Sequence, residues 1–174
     1  MWEDFRLRLY IETTVFNWYF DARPGHVEVV RLFEAVKAGQ FAGYTSQYVT
    51  DELMRAGEPK RAKMLGLIDE CGITELASRP EVLILAEEYI NAGAIPKSQR
   101  FDSLHIALAS VNGLNAIVSY NFNHINRNKT KVLIPLINAK QGVKEMLMFL
   151  TAKEVFEYAE LLQRGGESRA DGSD

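Results

Sequence analysis

With 174 residues, 47% of them hydrophobic, the chain can bury one substantial core but is short for two domains. A formal net charge of −3 excludes a protein that grips nucleic acid through a broadly basic face, yet leaves room for a nuclease whose site is negative until metal arrives. The longest apolar runs, at 132–137 and 146–150, fall far short of the roughly 20 residues that span a bilayer, and Met1-Trp2-Glu3-Asp4 lacks the basic start of an export signal, so a soluble, cytoplasmic protein is expected.

Residues 7–11 alternate Arg8 with large apolar side chains and predict a strand, whose polar exit, Glu12-Thr13-Thr14, reads as a turn. Val29, Val30, Leu32, Phe33 and Val36 fall at helical spacing over 27–37, and Gly39 supplies the stop. A second strand is predicted over 41–45. Thr45 or Ser46 can cap the helix that follows, which puts Glu52 about two turns inside it. Pro59 suits the first turn of another helix. The lone Cys71 can neither close an internal disulfide nor build a zinc site, and reads as a buried, inert thiol. A weaker strand candidate lies at 73–76, and a helix with Val82, Leu85, Ala86 and Tyr89 on one stripe at 80–92.

Asp102 opens a strongly apolar helix that ends near Asn112-Gly113 and should be central. Residues 116–119 predict a buried strand, followed by a polar connection over 120–127. Pro135 argues that a helix over 129–140 is irregular or kinked in its first half. Another strand at 146–150 leads into Thr151-Ala152-Lys153-Glu154, a capping box for a final helix. The small, polar end over 165–174 is expected to be a disordered tail. Strands separated by helices, without hairpin signals, predict one domain over 1–164 with a parallel α/β sheet covered on both faces.

In such a sheet the site lies outside the carboxyl ends of the strands. Glu12, Asp102 and Asn121 all map to that edge, and Glu52 can lean over it from the second-strand helix. Clustered carboxylates suit a hard divalent cation, Mg²⁺ or Mn²⁺, that shares its shell with substrate phosphate. Glu12 and Asp102 are the candidate ligands. Glu52 could hold a second ion, hold a water on the first, or act as a base, and Asn121 could supply an uncharged oxygen. Taken singly, Asp102 reads as a helix-start acid and Asn121 as a turn residue. Glu12, directly after an apolar strand, has no obvious local role. His105, one turn beyond Asp102, is expected to be structural, hydrogen-bonded to backbone or to a carboxylate. Thr13 and Thr14 could bond the Glu12 carboxylate or simply form the turn. The aromatic group Phe16, Trp18, Tyr19 and Phe20 could stack bases, with packing slightly favoured. Lys60, Arg61, Lys63, Lys97, Arg100, Arg127, Lys129 and Lys131 could guide a strand inward or be ordinary solvated surface.

Four segments together resemble the PIN domain family, which includes the toxin ribonucleases of VapBC toxin–antitoxin pairs. They are Tyr10-Ile11-Glu12-Thr13-Thr14, Thr50-Asp51-Glu52-Leu53, Asp102-Ser103-Leu104-His105-Ile106-Ala107, and Val118-Ser119-Tyr120-Asn121-Phe122-Asn123-His124-Ile125. The resemblance implies a three-layer α/β/α sandwich and Mg²⁺- or Mn²⁺-dependent endonucleolytic cleavage of RNA. It also implies a homodimer and an antitoxin partner whose arginine or lysine occludes the acidic pocket. Glu12 and Asn121 stand where the family commonly has aspartate. The competing expectation is therefore a noncatalytic RNA- or protein-binding module with a weakened metal site; a phosphatase ranks last, because neither an Asp-x-Asp motif nor a phosphate-binding loop is present.

Overall fold

The computed structural model describes residues 6–170; the first five residues, where the export-signal argument falls, and residues 171–174, the last of the expected tail, lie outside the described residues. Five strands, β1 (Arg8–Ile11), β2 (Ala42–Ser46), β3 (Thr74–Leu76), β4 (Ala116–Val118) and β5 (Met148–Leu150), form one sheet in the order β3-β2-β1-β4-β5. Every pairing is parallel. The short apolar runs specify this, because a strand covered by helices on both faces buries both sets of its side chains; Leu9, Tyr10, Ile11, Ala116, Ile117 and Val118 are all fully buried.

Between β1 and β2 the chain forms α1 (Thr13–Phe20) and α2 (His26–Lys37), and between β2 and β3 it forms α3 (Gln47–Leu53) and α4 (Lys60–Glu70). The return to β4 runs through α5 (Pro80–Asn91) and α6 (Arg100–Val111); α7 (Asn128–Lys140) leads to β5, and α8 (Ala152–Ala170) follows. On one side α2 packs against α1 and α8, while α5 packs against α6 and α7 on the other, giving the expected three layers. Tyr89 of α5 ties that second layer together: its hydroxyl donates to Asn138 Oδ1 of α7 at 2.5 Å and lies 3.1 Å from Ser110 Oγ of α6, and all three residues are buried. Gly43 lets β2 lie close to α2, since a Cβ there would sit 2.8 Å from Val36 Cγ1.

The sequence expectations fail at three places. Glu12-Thr13-Thr14 is not a turn but the start of α1: Glu12 is its N-cap and accepts from the Thr14 N–H at 3.1 Å. Phe16, packed edge-on against Phe33 of α2 at 5.3 Å, holds the helix against the core. Helix α7 is continuous through Pro135, because Thr130 anchors its first turn to the His124 carbonyl and the buried Ile134 and Ile137 pin it on both sides of the proline. The last helix does not stop at Gly165 but runs to Ala170, so the first part of the expected tail is helical. The capping box at its start is formed, with Glu154 Oε2 accepting from the Thr151 N–H at 2.7 Å and Thr151 Oγ1 accepting from the Glu154 N–H at 3.4 Å.

Candidate active site

Strand order runs one way from β1 through β2 to β3 and the other way from β4 to β5, so the β1/β4 pair is the switch point of the sheet, and a crevice is expected beyond its carboxyl ends. Ile11 pairs with Val118, and the ladder continues one step as the Glu12 N–H donates to the Val118 carbonyl at 3.1 Å. Glu12 and Ser119 are thereby delivered side by side.

Glu12 is 3% exposed, and one oxygen, Oε2, accepts from the Thr14 N–H, from Thr14 Oγ1 at 2.5 Å and from Ser119 Oγ at 2.8 Å. Burial nevertheless pushes its carboxyl above the ordinary range, against the lowering by His105 and these hydrogen bonds. Glu52, in the last turn of α3, has different company. Its Oε2 accepts from Thr13 Oγ1 at 2.5 Å and its Oε1 lies 3.0 Å from His105 Nε2. Burial raises its pKa, but the hydrogen bond and charge of His105, with Thr13, outweigh that and leave it below the ordinary value.

His105 is fully buried, and its second nitrogen, Nδ1, is 2.7 Å from the Tyr10 hydroxyl, which is itself 2.7 Å from Ser46 Oγ. Burial lowers its pKa and Glu52 raises it more, so the imidazole is pushed above its ordinary value. The raised imidazole and the lowered carboxyl share one cause, the contact between His105 Nε2 and Glu52 Oε1.

Asp102 lies in the first turn of α6, where one oxygen, Oδ1, accepts from Asn121 Nδ2 at 3.1 Å. The other, Oδ2, is buried and has no hydrogen-bond partner among the described residues. Burial pushes this carboxyl up, only partly offset by His105 and Asn121. Asn121 is held in turn: its N–H donates to Ser119 Oγ at 3.0 Å and its Oδ1 accepts from the His124 N–H at 3.1 Å. A continuous hydrogen-bonded path therefore runs Glu12, Ser119, Asn121, Asp102.

Ligand atoms of Glu12, Glu52 and His105 fall within 4.8 Å of one another. Of the three, His105 is the poorest candidate, because both its nitrogens are already engaged, by Tyr10 and by Glu52. The two carboxylates that remain, Glu12 and Glu52, offer oxygens suited to a divalent cation; Asp102 is not in that 4.8 Å group and connects to it through Asn121 and Ser119. The orphaned Asp102 Oδ2 and two carboxyls raised by desolvation describe a site whose negative charge is not compensated by the protein itself.

Among the sequence candidates, Glu12 and Glu52 are brought together directly, while Asp102 and Asn121 pair with each other and join through Ser119. His105 bonds a carboxylate, as expected of it. Glu12, expected to lack a local role, has one as the α1 cap. Two residues were not anticipated. Tyr10 shares a face of β1 with Glu12 through the two-residue alternation, and Ser119 follows β4 as Glu12 follows β1; both were legible from strand register alone.

Among the described residues no helix is long and apolar enough to cross a membrane. A comparison with curated proteins returns no match. The family model for the PIN domain matches residues 9–129, which takes in β2 through β4, all but the first residue of β1, and Glu12, Glu52 and Asp102. With well over half its length matched, and with the sheet order and acidic edge in place, this chain belongs to the PIN domain family, whose members are generally metal-dependent nucleases.

Proposed function

We infer that the chain is an endoribonuclease of the VapC kind, in which Glu12 and Asp102 hold one divalent cation, Mg²⁺ or Mn²⁺, against the scissile phosphate. The observation that carries this reading is Asp102 Oδ2, a buried carboxylate oxygen without a hydrogen-bond partner among the described residues, joined through Asn121 and Ser119 to the buried Glu12. Leaving such an atom unmade costs about 1–3 kcal/mol or more, which binding of a cation would recover. A cation held there would supply Lewis-acid polarisation of the phosphate.

The chain's own groups do the rest. Ser119 and Thr14 fix the Glu12 carboxylate through Oε2, leaving Oε1 as the ligating atom. Asn121 orients Asp102 through its amide N–H; its oxygen is committed to the His124 N–H, so its part is orientation rather than ligation. Glu52, ionised by His105, accepts a hydrogen bond from the attacking water and aims it at phosphorus. A carboxylate with a lowered pKa is a weak base, so Glu52 positions that water more than it strips it. Hydrolysis leaves a 5′-phosphate.

The resemblance to VapBC toxins extends the reading to a cytoplasmic homodimer whose antitoxin inserts an arginine or lysine among the carboxylates; finding a small upstream reading frame that encodes a DNA-binding protein would support it. The direct test is cleavage of RNA with and without Mg²⁺ or Mn²⁺, in the wild type, Asp102→Asn and Glu52→Gln. Activity should require the metal and fall in both variants. Activity that survives chelation and both substitutions overturns the reading. The commitment of Asn121 to hydrogen bonding favours a second reading, a binding module with a weakened metal site; RNA binding without any Mn²⁺ binding at millimolar metal selects it.

A further inference from the structure

Beside the carboxylates lies a cavity of about 340 Å³, lined by Thr14, Asn17, Trp18, Asp21, Arg23 and Lys60, at the small end of the range for ligand sites. Thr14, Asn17, Trp18 and Asp21 recur at helical spacing, so the cavity follows one face of α1 for about 10 Å from Thr14, which donates to the Glu12 carboxylate. Thr14 belongs to both sites: its hydroxyl donates to Glu12 and accepts from the Tyr120 N–H at 2.8 Å.

Two properties point to the ligand. First, Trp18 is a half-buried indole held in place, stacked on Tyr120 with centroids 3.7 Å apart and planes 15° from parallel, while its carbonyl oxygen lies 2.9 Å from His26 Nδ1. Gly25, at φ 97°, keeps that stack undisturbed, since a Cβ there would lie 3.3 Å from Trp18 Cζ3 and 3.5 Å from the Tyr120 hydroxyl oxygen. Second, Asp21 pairs with two cations, Lys60 at 2.9 Å and Arg23 at 3.2 Å, which leaves the cavity one positive charge in excess. The Arg23 guanidinium also lies 5.6 Å from the Trp18 ring centroid. A rigid aromatic surface beside cations is how single-stranded nucleic acid is held, base against ring and phosphate against charge. Asn17, whose Nδ2 is committed to the Thr13 carbonyl at 3.1 Å, keeps its amide oxygen for a base edge.

Resting on the nuclease reading, we propose that this cavity is the subsite for one unpaired nucleotide flanking the scissile phosphate of the RNA, with its base on Trp18 and its phosphate at Lys60 and Arg23. A paired base cannot enter, so the subsite restricts cutting to single-stranded segments.

The test uses the full chain carrying Trp2→Phe, which leaves Trp18 as the only indole, in EDTA so that binding is read without cleavage. An eight-nucleotide oligoadenylate should quench Trp18, and the same strand annealed to its complement should not. With an end-labelled strand followed by anisotropy, Trp18→Leu should weaken binding about tenfold, and Trp18→Phe, which keeps a ring, should restore most of it. Lys60→Gln and Arg23→Gln should each lower the slope of log affinity against log salt by about 0.7. Equal quenching by the duplex, or an unchanged affinity and salt slope in both cation variants, overturns the subsite. Those results beside intact metal-dependent cleavage refute the subsite alone; quenching by the single strand in a protein that cuts no RNA supports it while refuting the nuclease reading.

Discussion

Glu12 and Asp102 sit at the two ends of one hydrogen-bonded path, yet the protein surrounds them differently. At the Glu12 end three donors converge on a single carboxylate oxygen, and nearby Glu52 has a threonine and a buried histidine. Asp102 has one amide donor and one buried oxygen with no hydrogen-bond partner among the described residues. The first end is a frame, satisfied from within; the second is left open. Sites that bind cations commonly divide this way, with some ligands fixed in advance by hydrogen bonds and a residual need that the ion meets.

Substitutions should separate the two ends, and the largest effect belongs to the open one. Asp102→Asn should lower metal-dependent cleavage by more than about 100-fold, beyond the range usual for groups that only orient ligands. The same change should leave the metal-free protein as stable or more stable, because it removes a desolvated charge; thermal melts in EDTA check this. The framed end should behave oppositely. Glu52→Gln should cost activity and also about 1–3 kcal/mol of stability, since it strips the buried His105 of its carboxylate partner. Urea denaturation reads the loss. Ser119→Ala removes one of the Glu12 donors and the acceptor for the Asn121 N–H, so Mn²⁺ affinity by calorimetry should fall about tenfold with the metal-bound fold intact.

Acidity gives the smallest and most graded contrast. Glu12 and Asp102 have raised folded pKa values, as does His105, so each binds its proton more tightly folded than unfolded. Their contribution to stability is present at low pH and is lost as pH rises through the folded values, from the carboxyl range for the two acids and from above 6.5 for His105. Glu52, with a lowered pKa, contributes stability above the carboxyl range that is lost as pH falls through its folded value. In EDTA the protein should therefore lose stability from mildly acidic to neutral pH, and Mg²⁺ should restore more of it at pH 7 than at pH 5. A Mg²⁺ effect independent of pH would contradict the assignment of Glu12 and Asp102 as the groups that compete with protons.

The framework of the site was legible in the sequence because strands buried on both faces write themselves as short apolar runs, and the carboxylates follow directly from where those runs end. Helix α1 was not, since Thr13, Thr14 and Val15 are β-branched and disfavour helix locally; the cap by Glu12, a residue outside the preferred set for that position, and the packing of Phe16 on Phe33 decide the matter, and the second is tertiary. Pro135 misled for the related reason that anchoring contacts on each side of it come from other elements. Within the site, positions could be read but partners could not. That Asn121 turns its side-chain Nδ2–H to Asp102 depends on the His124 N–H claiming its amide oxygen, a contact set by the loop after β4.

Calorimetric titration of the metal-free chain with Mn²⁺, run in parallel on the wild type and Asp102→Asn, bears most directly on whether this edge is a cation site. Saturable binding of one ion in the wild type, lost in the variant while its melting temperature holds, is the outcome expected here. Binding of equal affinity in both chains, or none in the wild type at millimolar metal, would contradict it.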